Sequence, residues 1–477
     1  MAPRQERATL TAAHCAEQAA QSLTPASSTA ATPGRRRSRG GHRIGGGLRG
    51  AELPSRPTCS KFPAMTVSRG PIARFVAAVL AIVAVAAGPS FAGTPAIPAA
   101  AVPDLSSQAR KTAREAERPR PKQAKPAPAK PAKPAFPPRE PFTELEQRSA
   151  VIPGIATARF WADSEADYLA ALPPAAGPWL ALSSGGADGA FGAGVLAGLS
   201  AAGKRPQFAL VTGVSTGALM APFIFAGPRY DAQLQESYTT ITAADVFELG
   251  GKGESFFDTW PLKDTIAKRV TPALLADIAA EHRKGRRLFV MTTNLDAERP
   301  VAWNMGAIAT VGDQRALELF RAILLAATSI PGAFPPVLIE ASANGHTFRE
   351  MHGDGGLHNQ FFIAPAKLMA SNSSYRLPAP IYLIVNTSLA PVFTVTARDT
   401  VSILNRAVTA GVRTLTRVMI DRAYAAAKRS DVAFHLAVID PTFDAPSRGA
   451  FDPAYMKALF AFGFEQGKNG LAFRAEP

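Results

Sequence analysis

A serine that attacks a carbonyl must stand on a sharp turn, and residues 211–217, Val-Thr-Gly213-Val-Ser215-Thr-Gly217, have the spacing for one. Glycines two positions to either side of Ser215 let the backbone pass close to its neighbours without a Cβ clash. The motif follows the apolar run Gln207–Thr212 and precedes Ala218-Leu-Met-Ala-Pro-Phe-Ile-Phe, so a strand, a turn and a helix are in the right order for an exposed nucleophile. Much later in the chain, Asp354 lies between Gly353 and the pair Gly355-Gly356. A carboxylate held on so bent a backbone can take the proton of a serine hydroxyl as general base, although Asp-Gly alone is also a common turn. A third segment, Ser184-Gly185-Gly186-Ala187-Asp188-Gly189, sits between an apolar run and a helical pattern. Its amides could donate to a developing oxyanion, helped by the helix N-terminus behind them. It lacks the Gly-Lys-Ser/Thr ending of a nucleotide phosphate loop, and Ser184 breaks the Gly-x-Gly-x-x-Gly dinucleotide pattern at its first position.

The elements that must position these residues read as an α/β domain with a mainly parallel sheet. Strands are expected at Trp179–Ser183, Phe208–Thr212, Leu288–Thr293, Ile381–Asn386 and Ala433–Ile439. Helical patterns fill about 190–202, 217–226, 231–241, 262–283, 314–327, 398–427 and 453–466. Between them, 247–261 is rich in Gly and aromatic residues and could be a lid over a greasy substrate or an ordinary surface loop.

Taken together, the Gly-rich turn at 184–189, Gly213-Val-Ser215-Thr-Gly217 and Asp354-Gly355-Gly356 resemble the patatin-like phospholipases in order and spacing. Ala326-Ala-Thr-Ser-Ile-Pro331-Gly-Ala-Phe334-Pro-Pro336 looks like that family's small-residue and proline segment, and the likeness covers roughly 178–440. The resemblance implies a three-layer α/β/α domain that hydrolyses lipid acyl esters through an acyl-enzyme. Ser215 would be the nucleophile and Asp354 its base, in a dyad without histidine. Gly185, Gly186 and Ala187 would supply the oxyanion hole, with Gly189, Gly213, Gly217, Gly355 and Gly356 as motif glycines. Ser184 replaces the first glycine of the family's turn, which leaves the backbone donors in place. Asp188 stands where members often carry Lys or Arg, which puts in doubt a preference for an anionic head group.

Two other readings are compatible with the sequence. Ser215, Asp354 and His435 have the chain order of an α/β-hydrolase triad, and a non-catalytic lipid-binding envelope protein could keep the fold without turnover. His352 and His358 flank the Asp354 turn and read as packing or surface residues.

Charge separates the chain into two parts. Of the 52 Lys and Arg and 37 Asp and Glu, residues 1–150 hold 23 and 9, which leaves 29 and 28 for 151–477. The part that can fold is therefore near neutral, which argues against nucleic-acid binding. Both cysteines, Cys15 and Cys59, lie in the leader, so thiol chemistry is excluded from the globular part. No histidine pair or carboxylate cluster has ligand spacing, so no metal or other cofactor is expected. The partner implied is a phospholipid or other acyl ester at a membrane surface, and nothing in the spacing sets an oligomeric state.

Residues 65–92 begin at Met65, carry Arg69 and Arg74, run apolar from Phe75 to Ala87 and end Ser90-Phe-Ala92. This is the layout of a secretory signal peptide with cleavage after Ala92, and it places the protein in the periplasm, the cell envelope or outside the cell. Residues 1–64 are then a basic extension, with translation starting at Met65 the favoured reading over an internal apolar run. Residues 93–149 read as a Pro-, Ala- and Lys-rich spacer of polyproline character, followed by the hydrolase domain over 150–477.

Overall fold

The computed structural model describes residues 136, 138–251 and 253–477. The extension at 1–64, the signal-peptide reading at 65–92 and most of the spacer lie outside the described residues.

In chain order the strands are β1 (Arg159–Trp161), β2 (Trp179–Leu182), β3 (Leu210–Val214), β4 (Glu248–Leu249), β5 (Phe257–Asp258), β6 (Arg287–Asn294), β7 (Arg299–Asn304), β8 (Val337–Ala343), β9 (His346–Asp354), β10 (Ile381–Val385) and β11 (Phe434–Val438). The helices are α1 (Glu144–Ser149), α2 (Glu165–Ala171), α3 (Gly189–Ala201), α4 (Thr216–Ala226), α5 (Asp231–Thr239), α6 (Trp260–Arg269), α7 (Pro272–Arg283), α8 (Met305–Val311), α9 (Gln314–Ala327), α10 (Thr400–Arg429) and α11 (Pro453–Asn469).

Nine strands form one sheet in the order β1-β7-β6-β3-β2-β10-β11, with β9 on β6 and β8 on β9. The five strands from β6 to β11 run parallel, and β1, β7, β8 and β9 are added antiparallel. The parallel strands are apolar at successive positions because helices cover both faces. Leu180, Leu182, Val211, Leu288, Val290 and Ile384 point into one core shared with α3, α4, α7, α9 and α11. Their alternating neighbours Trp179, Ala181, Leu210, Phe289, Met291 and Leu383 point into a second core, closed by the C-terminal part of α10 and by residues 361–379. The molecule thus has the three-layer, α/β/α arrangement that the resemblance implied.

Three differences from the sequence reading have physical causes. The single helix expected over 262–283 is two, because Thr271 caps a new start: its side chain accepts from the Leu274 amide, and Pro272 occupies the first helical position. Strands β7, β8 and β9 were not anticipated; β8 and the first part of β9 alternate buried and exposed residues, and their buried positions include small or polar side chains such as Ala341 and Glu350. Residues 138–149, read as the end of the spacer, pack on the domain. Arg139 pairs with Asp296 at 2.7 Å, and Phe142 stacks on Phe348 with centroids 4.3 Å apart.

Helices α3 and α11 cross at close range through small residues. A Cβ on Gly194 would meet the Phe460 carbonyl at 2.2 Å, and one on Gly198 the Phe464 carbonyl at 2.1 Å. Glycines 463 and 467 approach the backbone of Phe191 and Val195 from the other side. Since α3 begins at the Gly-rich turn, this contact sets where that turn sits. Gly198→Val overpacks the crossing and is expected to lower stability by about 1–3 kcal/mol. Urea unfolding checks this; a midpoint equal to wild type would show that the crossing can open without cost.

Candidate active site

Strand β6 brings the proposed pair together. Along one edge Met291 lies opposite Val214, the last residue of β3, and the next residue, Thr292, lies opposite Asp354, the last residue of β9. Successive positions on a strand are about 3.3 Å apart. The chain leaving β3 at Ser215 therefore emerges beside the end of β9. Ser215 Oγ donates to Asp354 Oδ2 at 2.7 Å, and both residues are buried.

Ser215 has φ 53° and ψ −122°, a conformation that costs energy for a residue with a Cβ. Packing of the two motif glycines holds it there. A Cβ on Gly213 would lie 2.4 Å from the Gly217 carbonyl, and one on Gly217 the same distance from the Leu182 carbonyl. Only a bare backbone lets the turn fold back this tightly against β2.

Asp354 is fixed at three points. Its amide donates to the Ser329 carbonyl at 2.8 Å, its carbonyl accepts from Thr293 Oγ1 at 3.0 Å, and Oδ1 accepts from the Gly356 amide at 2.7 Å. Gly355 fits beneath, since a Cβ there would meet the Met291 carbonyl at 2.8 Å. Burial pushes the Asp354 carboxyl up to about 6, against the opposing hydrogen bonds from Ser215 and Gly356. A carboxylate so placed is a stronger base than an exposed one.

The Gly-rich turn is anchored from two sides. The Ser184 amide donates to the Gln360 carbonyl at 2.8 Å, and the Ser184 hydroxyl donates to Gln360 Oε1. Gln360 Nε2 in turn donates to the Gly356 carbonyl at 2.7 Å, which ties this turn to the one after Asp354. Just after β10, Asn386 Nδ2 donates to the Ser183 carbonyl at 3.0 Å, and Oδ1 accepts from the Gly192 amide at 3.1 Å. Gly185 passes so near that a Cβ would sit 2.0 Å from the Asn386 carbonyl. Gly186 and Ala187 follow in a short 3-10 turn that leads into α3, and Gly186 lines the same cavity as Ser215. Gly189 abuts Thr216, where a Cβ would be 2.4 Å from Oγ1, so the N-termini of α3 and α4 meet at the nucleophile. Their aligned dipoles favour negative charge there. Gln360 and Asn386 were not singled out in the sequence, because neither belongs to a short motif and each acts only through long-range contacts.

Asp188 is buried and accepts from the Tyr455 hydroxyl of α11 at 2.8 Å. Burial pushes its carboxyl up to about 6, opposed by the Tyr455 hydrogen bond and the charge of Arg413.

A cavity of about 100 Å³ starts at Ser215 and Gly186. Ser215, Leu219 and Phe223 line it from one face of the α4 segment, a run of about 12 Å. Ile241, Val246, Leu262, Ile266, Leu324, Phe334 and Met456 form much of the remaining, largely apolar wall. Segment 247–261 connects two of the lining residues, Val246 and Leu262, and packs against a third, Phe334. The Phe256 and Phe257 amides donate to the Gly332 and Ala333 carbonyls at 3.0 Å, and Phe257 packs on Phe247 and Phe334, while Leu249 and Trp260 are exposed.

The triad reading with His435 is overturned by register. His435 lies opposite Tyr382, which lies opposite Leu180, which lies opposite Val211. It is thus three strands from β3, about 14 Å across, and level with a residue four positions before Ser215, about 13 Å along. Its ring instead stacks on Tyr382 with centroids 4.2 Å apart. His352 is fully buried with Nδ1 on Thr292 Oγ1 at 3.0 Å, and His358 bonds Thr293 Oγ1 and the Glu298 carbonyl, both at 3.1 Å. Among the described residues, no group of three or more His, Cys, Asp and Glu is placed to hold a metal ion.

Residues 180–367 match the patatin-like phospholipase family, a likeness that implies lipid acyl hydrolase activity. The matched span contains the Gly-rich turn, Ser215, Asp354 and Gln360 but ends before Asn386 and Tyr455. The crystal structure of VipD from Legionella pneumophila is similar at 12% sequence identity over 66% of this chain and 70% of that one, with a TM-score of 0.27, an overlap too loose to inform the site. No curated protein matches the chain.

The raised carboxyl makes Ser215 reactivity pH-dependent. Below about 6 Asp354 holds a proton and cannot accept another; above it the carboxylate is free to do so. The rate of labelling by a fluorophosphonate should therefore climb as pH rises through about 6 and then level off. The same limb should persist in Asp188→Asn and His435→Ala. A flat profile, or loss of the limb in Asp188→Asn, would take the titration away from Asp354.

Proposed function

We propose that this protein cleaves acyl esters of lipids by way of a covalent acyl-enzyme, with Ser215 as nucleophile and Asp354 as its base. The observation that carries this reading is the 2.7 Å hydrogen bond from Ser215 Oγ to a buried carboxylate, at the head of an apolar cavity. Asp354 takes the hydroxyl proton as Oγ attacks the ester carbonyl. The amides of Gly185, Gly186 and Ala187 receive the oxyanion, aided by the two helix N-termini. The proton passes from Asp354 to the departing alcohol, and the acyl group stays on Ser215. A water molecule then gives a proton to Asp354 and attacks the acyl carbon, and Asp354 returns that proton to Oγ as the Oγ–acyl bond breaks, which releases the fatty acid and restores the serine. The apolar cavity is suited to the acyl chain. The head group would remain outside, so a phospholipid or related ester at a membrane surface fits best. Export by the segment at 65–92 would bring the enzyme to envelope lipids.

Fatty-acid release from phospholipid vesicles and hydrolysis of p-nitrophenyl acyl esters test the reading. Ser215→Ala and Asp354→Asn should each lower kcat/KM by at least about 10³-fold, while His435→Ala stays within about 3-fold of wild type. An Asp354→Asn protein that is folded and still active would remove the dyad, and a wild type inert toward every ester would favour a lipid-binding role without turnover. The cavity makes a separate prediction. Leu219→Trp fills the space below Ser215 and should cut activity on long-chain esters about 10-fold or more while sparing the acetyl ester. An equal loss on both would mean that the acyl chain lies elsewhere.

A further inference from the structure

Helix α10 runs for 30 residues, and its solvent side is unusual over the first half. From 403 to 418 the exposed positions are Ile403, Ala407, Ala410, Gly411, Thr414, Leu415, Arg417 and Val418. Seven of these eight are uncharged over about 22 Å of helix, where a solvated helix normally carries Lys and Glu. The loop leading into it adds Phe393, 91% exposed, and Val395, 84% exposed. Large apolar side chains this exposed and this close in sequence mark a surface made for contact. Cations border it. Arg398, Arg417 and Arg422 are exposed, and Arg406 and Arg413 are half-buried, against Asp399 and Asp421 in the same stretch.

The surface begins at the same end of the sheet as the catalytic centre. The loop leaves the C-terminal end of β10, the edge at which parallel β2 ends in the Gly-rich turn and β3 ends at Ser215. Arg406 and Arg417 hold the loop by donating to the Val392 and Leu389 carbonyls, and Arg413 acts on the buried Asp188 of the Gly-rich turn.

We propose that the 389–399 loop and the exposed face of α10 are the surface by which the protein docks on an anionic membrane. This rests on the lipid-hydrolase reading for its purpose, although not for its geometry. The apolar side chains enter the head-group boundary, and the arginines pair with anionic lipid phosphates, as for an amphipathic helix lying in the interface. Charge favours lipid over a second copy of the chain, since a second copy presents the same arginines rather than acids.

The test needs a local readout, because residues 1–150 carry 23 Lys and Arg against 9 Asp and Glu and could bind anionic vesicles themselves. In the full chain, a tryptophan introduced as Phe393→Trp should be quenched by brominated phosphatidylglycerol vesicles and not by phosphatidylcholine ones, while Leu471→Trp, on an exposed residue distant in sequence, is not quenched. Phe393→Ser/Val395→Ser/Arg417→Glu/Arg422→Glu should lose at least ten-fold in fatty-acid release from phosphatidylglycerol vesicles and keep acetyl-ester hydrolysis within two-fold. Absence of quenching at 393, or vesicle hydrolysis unchanged in the fourfold variant, overturns the docking surface. So does a wild type that sediments as a dimer which the fourfold variant dissociates without any change in vesicle hydrolysis. Quenching at 393 in a wild type that hydrolyses no ester keeps the surface and overturns the hydrolase reading instead.

Discussion

One edge of β6 is the constraint on which the site depends. Its first residues are paired with β3 and its last with β9, so the strand that leads into Ser215 and the strand that ends in Asp354 meet end to end against a common neighbour. The backbone hydrogen bonds of that edge are needed for the sheet in any case, and the distance between nucleophile and carboxylate follows from them. A slip of one residue in either pairing would carry the side chain to the opposite face. The hydrogen bond of Ser215 to Asp354 is thus a product of sheet register before it is a property of two side chains.

The surroundings of the pair are arranged so that negative charge is costly in one place and welcome in another. Asp354 and Asp188 are both buried and both pushed up to about 6, yet they face different partners, Ser215 in one case and Tyr455 in the other. Between them, the first turns of α3 and α4 present backbone donors. Asp188, at the start of α3, is a buried carboxylate satisfied by a tyrosine from the last helix. Its electrostatic environment is therefore set by tertiary packing more than by the motif.

The parallel strands were legible because helices on both faces force continuous apolar runs. Ser215 and Asp354 were legible because the glycines around them mark backbone too closely packed for ordinary side chains. The antiparallel additions were harder. In β8, Ile339, Ala341 and Ala343 are buried and alternate with more exposed residues, a half-covered pattern that small side chains disguise. Gln360 and Asn386 carry no signal of their own, since a lone amide in sequence gives no hint of which turns it joins. His435 shows the converse. Its place in the chain order suited a triad, but order says nothing of lateral position in a sheet, and a histidine three strands away stacks on Tyr382.

The span shared with the family stops at 367, whereas β2 is paired on one side by β10 and the sheet ends at β11. The matched span and the sheet therefore end at different places in this protein. A chain cut at 367 would leave β2 with bare amides and carbonyls along an apolar edge, the condition under which sheets join to other sheets. It would also remove Asn386 from beneath the Gly-rich turn and α11 from the back of α3. A piece that leaves no such edge bare extends well past the matched span, and the residues after 367 act as a built-in guard against aggregation.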